Sequence, residues 1–513
     1  MEVSANMRVV LHHNAEGTYM VFTLPAAASL NQLMIEPTGS RRLSYIGTLD
    51  GHVLLNIFNL YRLDVRDEDD ADSLIFITYC NRERWWYKLV QVCRKWRFLI
   101  LASPSRLGLH LVCTHGTPVA DLLAYSPPLP LIINYVARDQ KMAAEEEEGI
   151  LLALQHRERV RRICLDLPAS NLRTLIMAMD GQFPTLALLC IWSRTNDDPT
   201  LMLPKTLQAP HLHHLLLFRA ALPIGSLLLT TTVRLVTLEL LNIPPAAYFH
   251  PYSLLTRLSL MPQLEMLEIH FLSPLPNHSV ERHNPIMTQI TLPQLRRFVF
   301  KGVSAYLEGL VARIRAPLLS RFHINFSNQL TFTVPHLLQF MSTSENLRFS
   351  SVWLHFDTYA VILMADHCGE REFSPFRMQV KCRHLDWQVT SVMQIFNAFL
   401  PVLPVVEQLT LSHKAHDLSS EQHNELDRTQ WRELLRFFNN VKTLRVQNEL
   451  VEKLACSLRS GDGEAPLEPL PNLKELLYSG GGDAYSQVTP FINERQAAGH
   501  PVSLIMVDDS LFD

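Results

Sequence analysis

The chain has 513 residues, 47% of them apolar and 19% charged, and its 46 basic and 50 acidic side chains leave a net charge of −4. That length exceeds what one compact core usually fills, so several domains or an extended repeat array is expected. The near balance of charge excludes a strong field towards nucleic acid or an anionic membrane.

The eight cysteines are scattered and form no C-x-x-C pair, which suits a reducing compartment. No stretch reaches the roughly 20 apolar residues of a membrane helix. Met20 to Leu30 is the nearest thing to a signal-peptide core, but His12, His13 and Glu16 precede it and Arg8 is the only basic residue before it. That is a poor pattern for secretion, so an intracellular protein, cytoplasmic or nuclear, is expected.

Residues 1–45 show no sustained period and read as a weakly ordered N-terminal segment. Residues 46–104 read as a small helical module. Asp50 is placed to cap a helix on which Val53, Leu54, Ile57, Phe58 and Tyr61 form one apolar stripe. An acidic stretch, Arg66 to Ser73, follows as a solvated loop. Leu89, Val92, Cys93, Trp96 and Leu99 then fit a second helical face, with Lys88, Arg94, Lys95 and Arg97 largely opposite. Leu49, Val53, Leu54, Ile57, Phe58, Leu89, Val92, Trp96 and Leu99 are more large apolar groups than about 50 residues hide alone, so some are expected to meet a partner.

From residue 105 to 513 a strand frame recurs: an apolar residue, two others, then apolar-x-apolar. The plainest copy is PQLEMLEIH from Pro262. First positions at Val160, Leu186, Leu212, Leu235, Leu264, Leu295, Leu319 and Phe349 are separated by 26, 26, 23, 29, 31, 24 and 30 residues. Val406, Val441 and Leu473 continue the series, with a degenerate copy near Phe376 to Val380. RLGLHLVC from Arg106 and LPLIINY from Leu129 read as the first strands. This L-x-x-L-x-L period defines an α/β fold, a leucine-rich-repeat solenoid (horseshoe) in which neighbours share a continuous core. Glu145 to Glu148 reads as a solvated face. Gly480 to Gly482 is a loop with no Lys-Ser/Thr after it, so it is no phosphate cradle.

On such strands the residues between the inward apolar ones line the concave face. That rule nominates Trp192, Phe218, Leu241, His270 and Trp353, with Arg297, Val299 and Lys301 beside Arg321, His323 and Asn325. Arg297, Lys301, Arg321 and His323 would form a positive patch able to hold an acidic or phosphorylated peptide. A catalytic reading finds no support: G-x-S-x-G, H-E-x-x-H and a glycine-rich dinucleotide turn are all missing. His211 and His213 would supply only two zinc ligands, His367 and Cys368 point apart in extended chain, and Asp508 and Asp509 read as tail charge. No catalysis, metal, cofactor, nucleic acid or membrane is expected.

LDGHVLLNIFNLYRLD followed by WWYKLVQVCRKWRFLILASPSRLGLHLVCTHGTPV resembles the opening of fungal F-box proteins that continue into irregular leucine-rich repeats. HLDWQVTSVMQIFNAFLPVLPVVEQLTL, DRTQWRELLRFFNNVKTLRV, PNLKELLYSGG and AGHPV resemble that family too. Leu49 is followed by Asp50 where many members carry Pro, and the linker from about Leu63 to Arg84 is longer than usual. The resemblance implies an all-α F-box module ahead of the solenoid. It also implies that the nine apolar residues named above dock on a Skp-type adaptor and, through it, a cullin scaffold. The chain would then be the non-catalytic substrate-recognition subunit of an SCF-type ubiquitin ligase, its repeats holding an unknown protein target. The alternative is a leucine-rich-repeat interaction scaffold outside any ligase, with the helical module serving as an N-terminal cap.

Overall fold

A four-residue turn precedes many of the strands and fixes where each begins. In Phe183–Leu186, Ala209–Leu212, Met261–Leu264, Leu292–Leu295, Ala316–Leu319 and Leu470–Leu473 the fourth N–H donates to the first carbonyl at 3.0–3.3 Å. Proline holds the second position of all six, where its fixed φ matches the turn. The closing leucine is 0–3% exposed each time, and the strand starts two residues later. These leucines are the first positions of the sequence frame.

The computed structural model describes the chain apart from residues 1–7, 15–16, 24–48, 65–82, 137–141, 195–200, 273–288, 367–373, 400–404, 415–427, 459–468, 480–481, 508–513 and isolated positions. The acidic stretch 66–73, His367 with Cys368, Gly480 with Gly481, and Asp508 with Asp509 lie outside the described residues. The chain divides into two compact units, Met1–Leu235 and Val236–Asp513.

The first unit opens with an antiparallel pair, β1 (Arg8–Asn14) and β2 (Gly17–Thr23), in a segment for which the sequence offers no period. Helices α1 (Gly51–Asp64), α2 (Trp85–Leu89), α3 (Arg94–Leu101) and α4 (Pro104–Leu107) follow. Strands β3 (Leu111–Cys113), β4 (Leu131–Val136), β5 (Val160–Leu167), β6 (Leu188–Ser193) and β7 (His214–Phe218) then pair in parallel, each with the next. Helices α5 (Val119–Tyr125), α6 (Ala144–Gln155) and α7 (Ala169–Ala178) return the chain between them. Glu145 to Glu148 occupy the first turns of α6, where negative charge suits the helix N-terminus.

The second unit carries β8 (Thr237–Ile243), β9 (Met266–Phe271), β10 (Arg297–Gly302) and β11 (Arg321–Ser327) as a parallel run. Sequence order then fails. Strands β12 (Ser351–Asp357), β13 (Ala360–Asp366) and β14 (Phe376–Lys381) form an antiparallel meander. The degenerate copy, β14, sits beside β11, while β12 sits beside β15 (Gln408–Lys414). Successive copies were expected to be neighbours in order; the two-residue hairpin Thr358–Tyr359 reverses the chain and inverts that stretch. The parallel run resumes with β16 (Thr443–Val446), β17 (Glu475–Tyr478) and β18 (Ser503–Met506).

Strands β9 to β12 alternate buried and half-buried residues, and their buried side faces helices α8 (Pro251–Leu258), α9 (Ser304–Val311) and α10 (Pro335–Ser342). Aromatic rings fill this interior: Phe298 stacks on Phe322 at 5.2 Å, and Phe340 of α10 meets Phe322 edge-on at 5.4 Å. A Cβ at Gly302 would lie 2.9 Å from the Phe271 and Phe300 rings, so glycine is required there. Glu308 of α9 accepts the backbone N–H groups of His336 (2.8 Å) and Leu337 (2.9 Å), capping the next helix of the stack. The interior is filled by layers shared between repeats, so deleting a turn leucine should cost much more than deleting a surface one. Leu264→Ala is expected to lose about 2–5 kcal/mol in urea unfolding. Leu318→Ala, 41% exposed in the same frame, should change stability by less than about 0.5 kcal/mol.

Candidate functional site

Three surfaces are built from the residues nominated above. The first is the helical section. Asp50 caps α1, accepting the His52 N–H at 2.7 Å. The stripe expected on α1 separates into two faces. Leu54 and Phe58, with Leu55, turn inward and are buried, whereas Val53, Ile57 and Leu60 stay 44%, 44% and 64% exposed. Their i, i+4, i+7 spacing places those three on one line of the helix.

The second stripe, expected on one helical face, is divided between two helices. Cys93 is extended and caps α3, its sulfur accepting the Trp96 N–H at 3.5 Å, so Leu89 and Trp96 lie on different helices. Trp96 packs edge-on to Phe58 at 4.9 Å, and Leu49, Leu89 and Leu99 are half-buried with it. Val92 is 58% exposed, and Phe98, which lies outside the expected stripe, is 72% exposed. Trp85, Trp86 and Tyr87 supply core that the expected stripe did not include. Burial lifts the Tyr87 hydroxyl to about 12. Glu83 is buried and bonds Arg162 of β5 at 2.9 Å and His110 at 3.2 Å, fastening the helices to the strands.

The second surface is the open face of β4–β7. Register aligns Cys164 with Cys190 and Leu216, and Asp166 with Trp192 and Phe218. Trp192 and Phe218 stack at 3.9 Å, nearly parallel, over Cys164, Leu188, Cys190 and Leu216. Hydrogen bonding to Cys190 and burial hold the Cys164 thiol well above its usual range. Arg219 lies over the Phe218 ring at 5.1 Å, and Arg194 grips Asp166 through both carboxylate oxygens.

The third surface is the open face of β8–β15. Arg297 pairs in register with Arg321, Val299 with His323 and Arg377, and Lys301 with Asn325 and Gln379. Leu241, nominated for this face, is instead buried, because a bulge at Asn242 (φ 51°) shifts the register between Leu240 and Ile243. One edge is acidic. Burial and the neighbouring Glu268 push Glu239 up to about 7, against the pull of Arg297, and burial raises Glu268 as well. His270 contacts Glu268 at 3.1 Å; burial and Lys301 hold it down at about 4. His323 is also held near 4, by burial and by Arg297, Arg377 and Arg321, in spite of a bond to the Ser374 backbone. It is therefore neutral at pH 7, and positive charge on this face belongs to the arginines and lysines. Arg377 and Lys381 of β14 join them, both exposed; the strand order that brings them in is invisible in the repeat spacing. Beyond β14 come Met364 and Ile362, then Trp353, whose indole N–H donates to Ser412 Oγ at 2.7 Å.

Other candidates stay apart. His211 is exposed in a turn and His213 precedes β7; among the described residues no three His, Cys, Asp or Glu side chains are grouped to hold a metal. An apolar void lined by Phe349, Val352, Phe376 and Phe399 has about 10 Å³ inside, too little for a ligand. No described helix is long and apolar enough to cross a membrane.

No protein-family model matches this chain, and no curated protein matches it. Among solved structures, the leucine-rich repeat-containing protein LegL7 from Legionella pneumophila aligns over 76% of this chain and 98% of its own, at 11% identity and a TM-score of 0.23. The leucine-rich-repeat character of this chain, a mixed α/β array of parallel strands and return helices, rests on its own turns and ladders.

The acidic edge gives a signed pH effect. A carboxyl whose folded pKa is raised binds more protons folded than unfolded, so its contribution to stability falls as pH rises from about 4.5 to about 7. Glu239→Gln removes that loss. The variant should match wild type near pH 4.5 and exceed it by on the order of 2 kcal/mol at pH 7.5, measured by urea unfolding at each pH.

Proposed function

We propose that this chain is the substrate-recognition subunit of an SCF-type ubiquitin ligase, its helical section docking on the Skp-type adaptor and its strand face holding a protein target. The observation that carries the reading is the two-sided α1: Leu54 and Phe58 complete the local core, while Val53, Ile57 and Leu60 face outward. Such a stripe is what a helix laid in an apolar groove requires. Fully burying a large apolar side chain is worth roughly 1.5–3 kcal/mol. The three, with Val92 and Phe98, are already partly covered, so their combined gain is of the order of the association cost, roughly 4–15 kcal/mol.

A second reading, a repeat scaffold outside any ligase, is favoured by the pair between buried Glu83 and half-buried Arg162, because a section so fastened to β5 also serves as the cap of the stack. Co-purification with the Skp-type adaptor separates the two. Wild type is expected to retain the adaptor, and Val53→Asp with Ile57→Asp to lose it by more than tenfold while keeping the wild-type melting temperature. Trp96→Asp should lose both, since it breaks the Phe58 contact. A well-folded wild type that captures no adaptor would leave the scaffold reading.

A further inference from the structure

The cations on the second unit's open face are concentrated on three adjacent strands. Lys301 (β10), Arg321 (β11), and Arg377 and Lys381 (β14) face the same side as Arg297. Among the described residues no carboxylate pairs with Lys301, Arg377 or Lys381. Like charge is felt within the set: burial and then Lys381 lower the Lys301 ammonium. Carboxylates enter at the β8–β9 edge, where Arg297 acts on Glu268, and at the two ends of the β12–β13 hairpin pair, where Asp357 and Asp366 are half-buried on the same face. An anionic ligand would relieve this repulsion and make charge-assisted bonds to the guanidinium groups.

The composition changes abruptly at the next strand. Met364 stands opposite Arg377 and Ile362 opposite Gln379; Trp353 then stands opposite Met364 and His355 opposite Ile362. Ser412 Oγ fixes both rings of β12, bonding the Trp353 indole at 2.7 Å and His355 Nδ1 at 2.8 Å. From β11 to β12 are three strand spacings of about 4.8 Å, or roughly 14 Å, the reach of about four extended residues.

We infer that this face binds an extended protein segment carrying two or more anionic side chains, carboxylate or phosphate, with a large apolar side chain about four residues away. The anionic groups meet Lys301, Arg321, Arg377 and Lys381, and the apolar group rests on Met364, Ile362 and Trp353. Asn325, between the cations, donates to Gln379 at 2.8 Å and supplies an amide at the level of a bound backbone. Nucleic acid fits less well. Its phosphates need a longer run of cations, and this one is about 10 Å wide across three strands, closed by Glu239 and Glu268 on one side and by apolar residues on the other. The inference rests on reading the strand face as the target-holding surface and is independent of adaptor docking.

The test is an array of ten-residue peptides varying the number of glutamate or phosphoserine residues and their spacing from a leucine or tryptophan, probed with the labelled full chain at 150 mM salt (about one Debye length of 8 Å). Signal should rise with negative charge and peak near a four-residue spacing. Arg377→Glu with Lys381→Glu, both at exposed positions, should reduce it at least fivefold. Met364→Ala with Ile362→Ala should flatten the spacing dependence and leave the charge dependence. The glutamate and phosphoserine arms show which anion is read. No charge dependence, indifference to the Arg377 and Lys381 substitutions, or stronger binding of poly(U) RNA than of any peptide would overturn the inference. Adaptor capture is scored separately on the same variants, so loss of either function leaves the other readable.

Discussion

The repeats of this fold depend on a buried leucine held by a proline turn at the mouth of six of the strands. The turn sets the backbone direction, the leucine anchors it in the shared interior, and the strand starts two residues on. Because stacked repeats share their interior with their neighbours, stability is a chain of nearest-neighbour terms. Functional residues are thereby confined to the alternate positions of the strands, on the side away from the anchors. Arg297 of β10 and Arg321 of β11 are in register because Leu295 and Leu319, each two residues before its strand, are in register first.

The helical section obeys a different constraint. A helix of fourteen residues with apolar groups on two faces cannot satisfy both from a section this small. Its inner face, Leu54 and Phe58, is buried together with Trp86 and Ile100, Phe58 packing on Trp96, and its outer face is left to solvent or to another protein. The bonds from Lys95 to the Leu49 carbonyl (2.7 Å) and from Arg62 to the Leu107 carbonyl (3.0 Å) hold the pieces in place without covering the outer stripe.

Much of the strand pattern was legible because burial repeats with the chain: the copies at Leu186, Leu212, Leu264, Leu295, Leu319 and Leu473 all begin strands where the frame placed them. The helix around Asp50 was legible through its cap. What was hidden was two-sidedness and order. Val53 and Leu54 are equally apolar in a sequence, and only packing assigns one inward and one outward. A spacing of one period also looks the same whether the next strand lies beside the last or is turned back, so β12 to β14 were misplaced and Arg377 and Lys381 went unnoticed. Charge state was hidden for a related reason: His323 is kept a neutral ring by burial and by Arg297 and Arg377, which lie far from it in the chain, as well as by nearby Arg321.

The detour at β12–β14 bears on assembly. Phe322 pairs with Phe376, so the growing stack must close a loop of roughly twice the usual length before it can extend. Loop-closure entropy grows only logarithmically, and a doubling costs about 0.6 kcal/mol, which a single buried phenylalanine more than offsets. The penalty falls on time more than on equilibrium, since distant pairings slow folding. The array can therefore carry an irregular insertion at small thermodynamic cost, provided the cell keeps the unfinished edge of β11 from pairing with something else while it waits for β14.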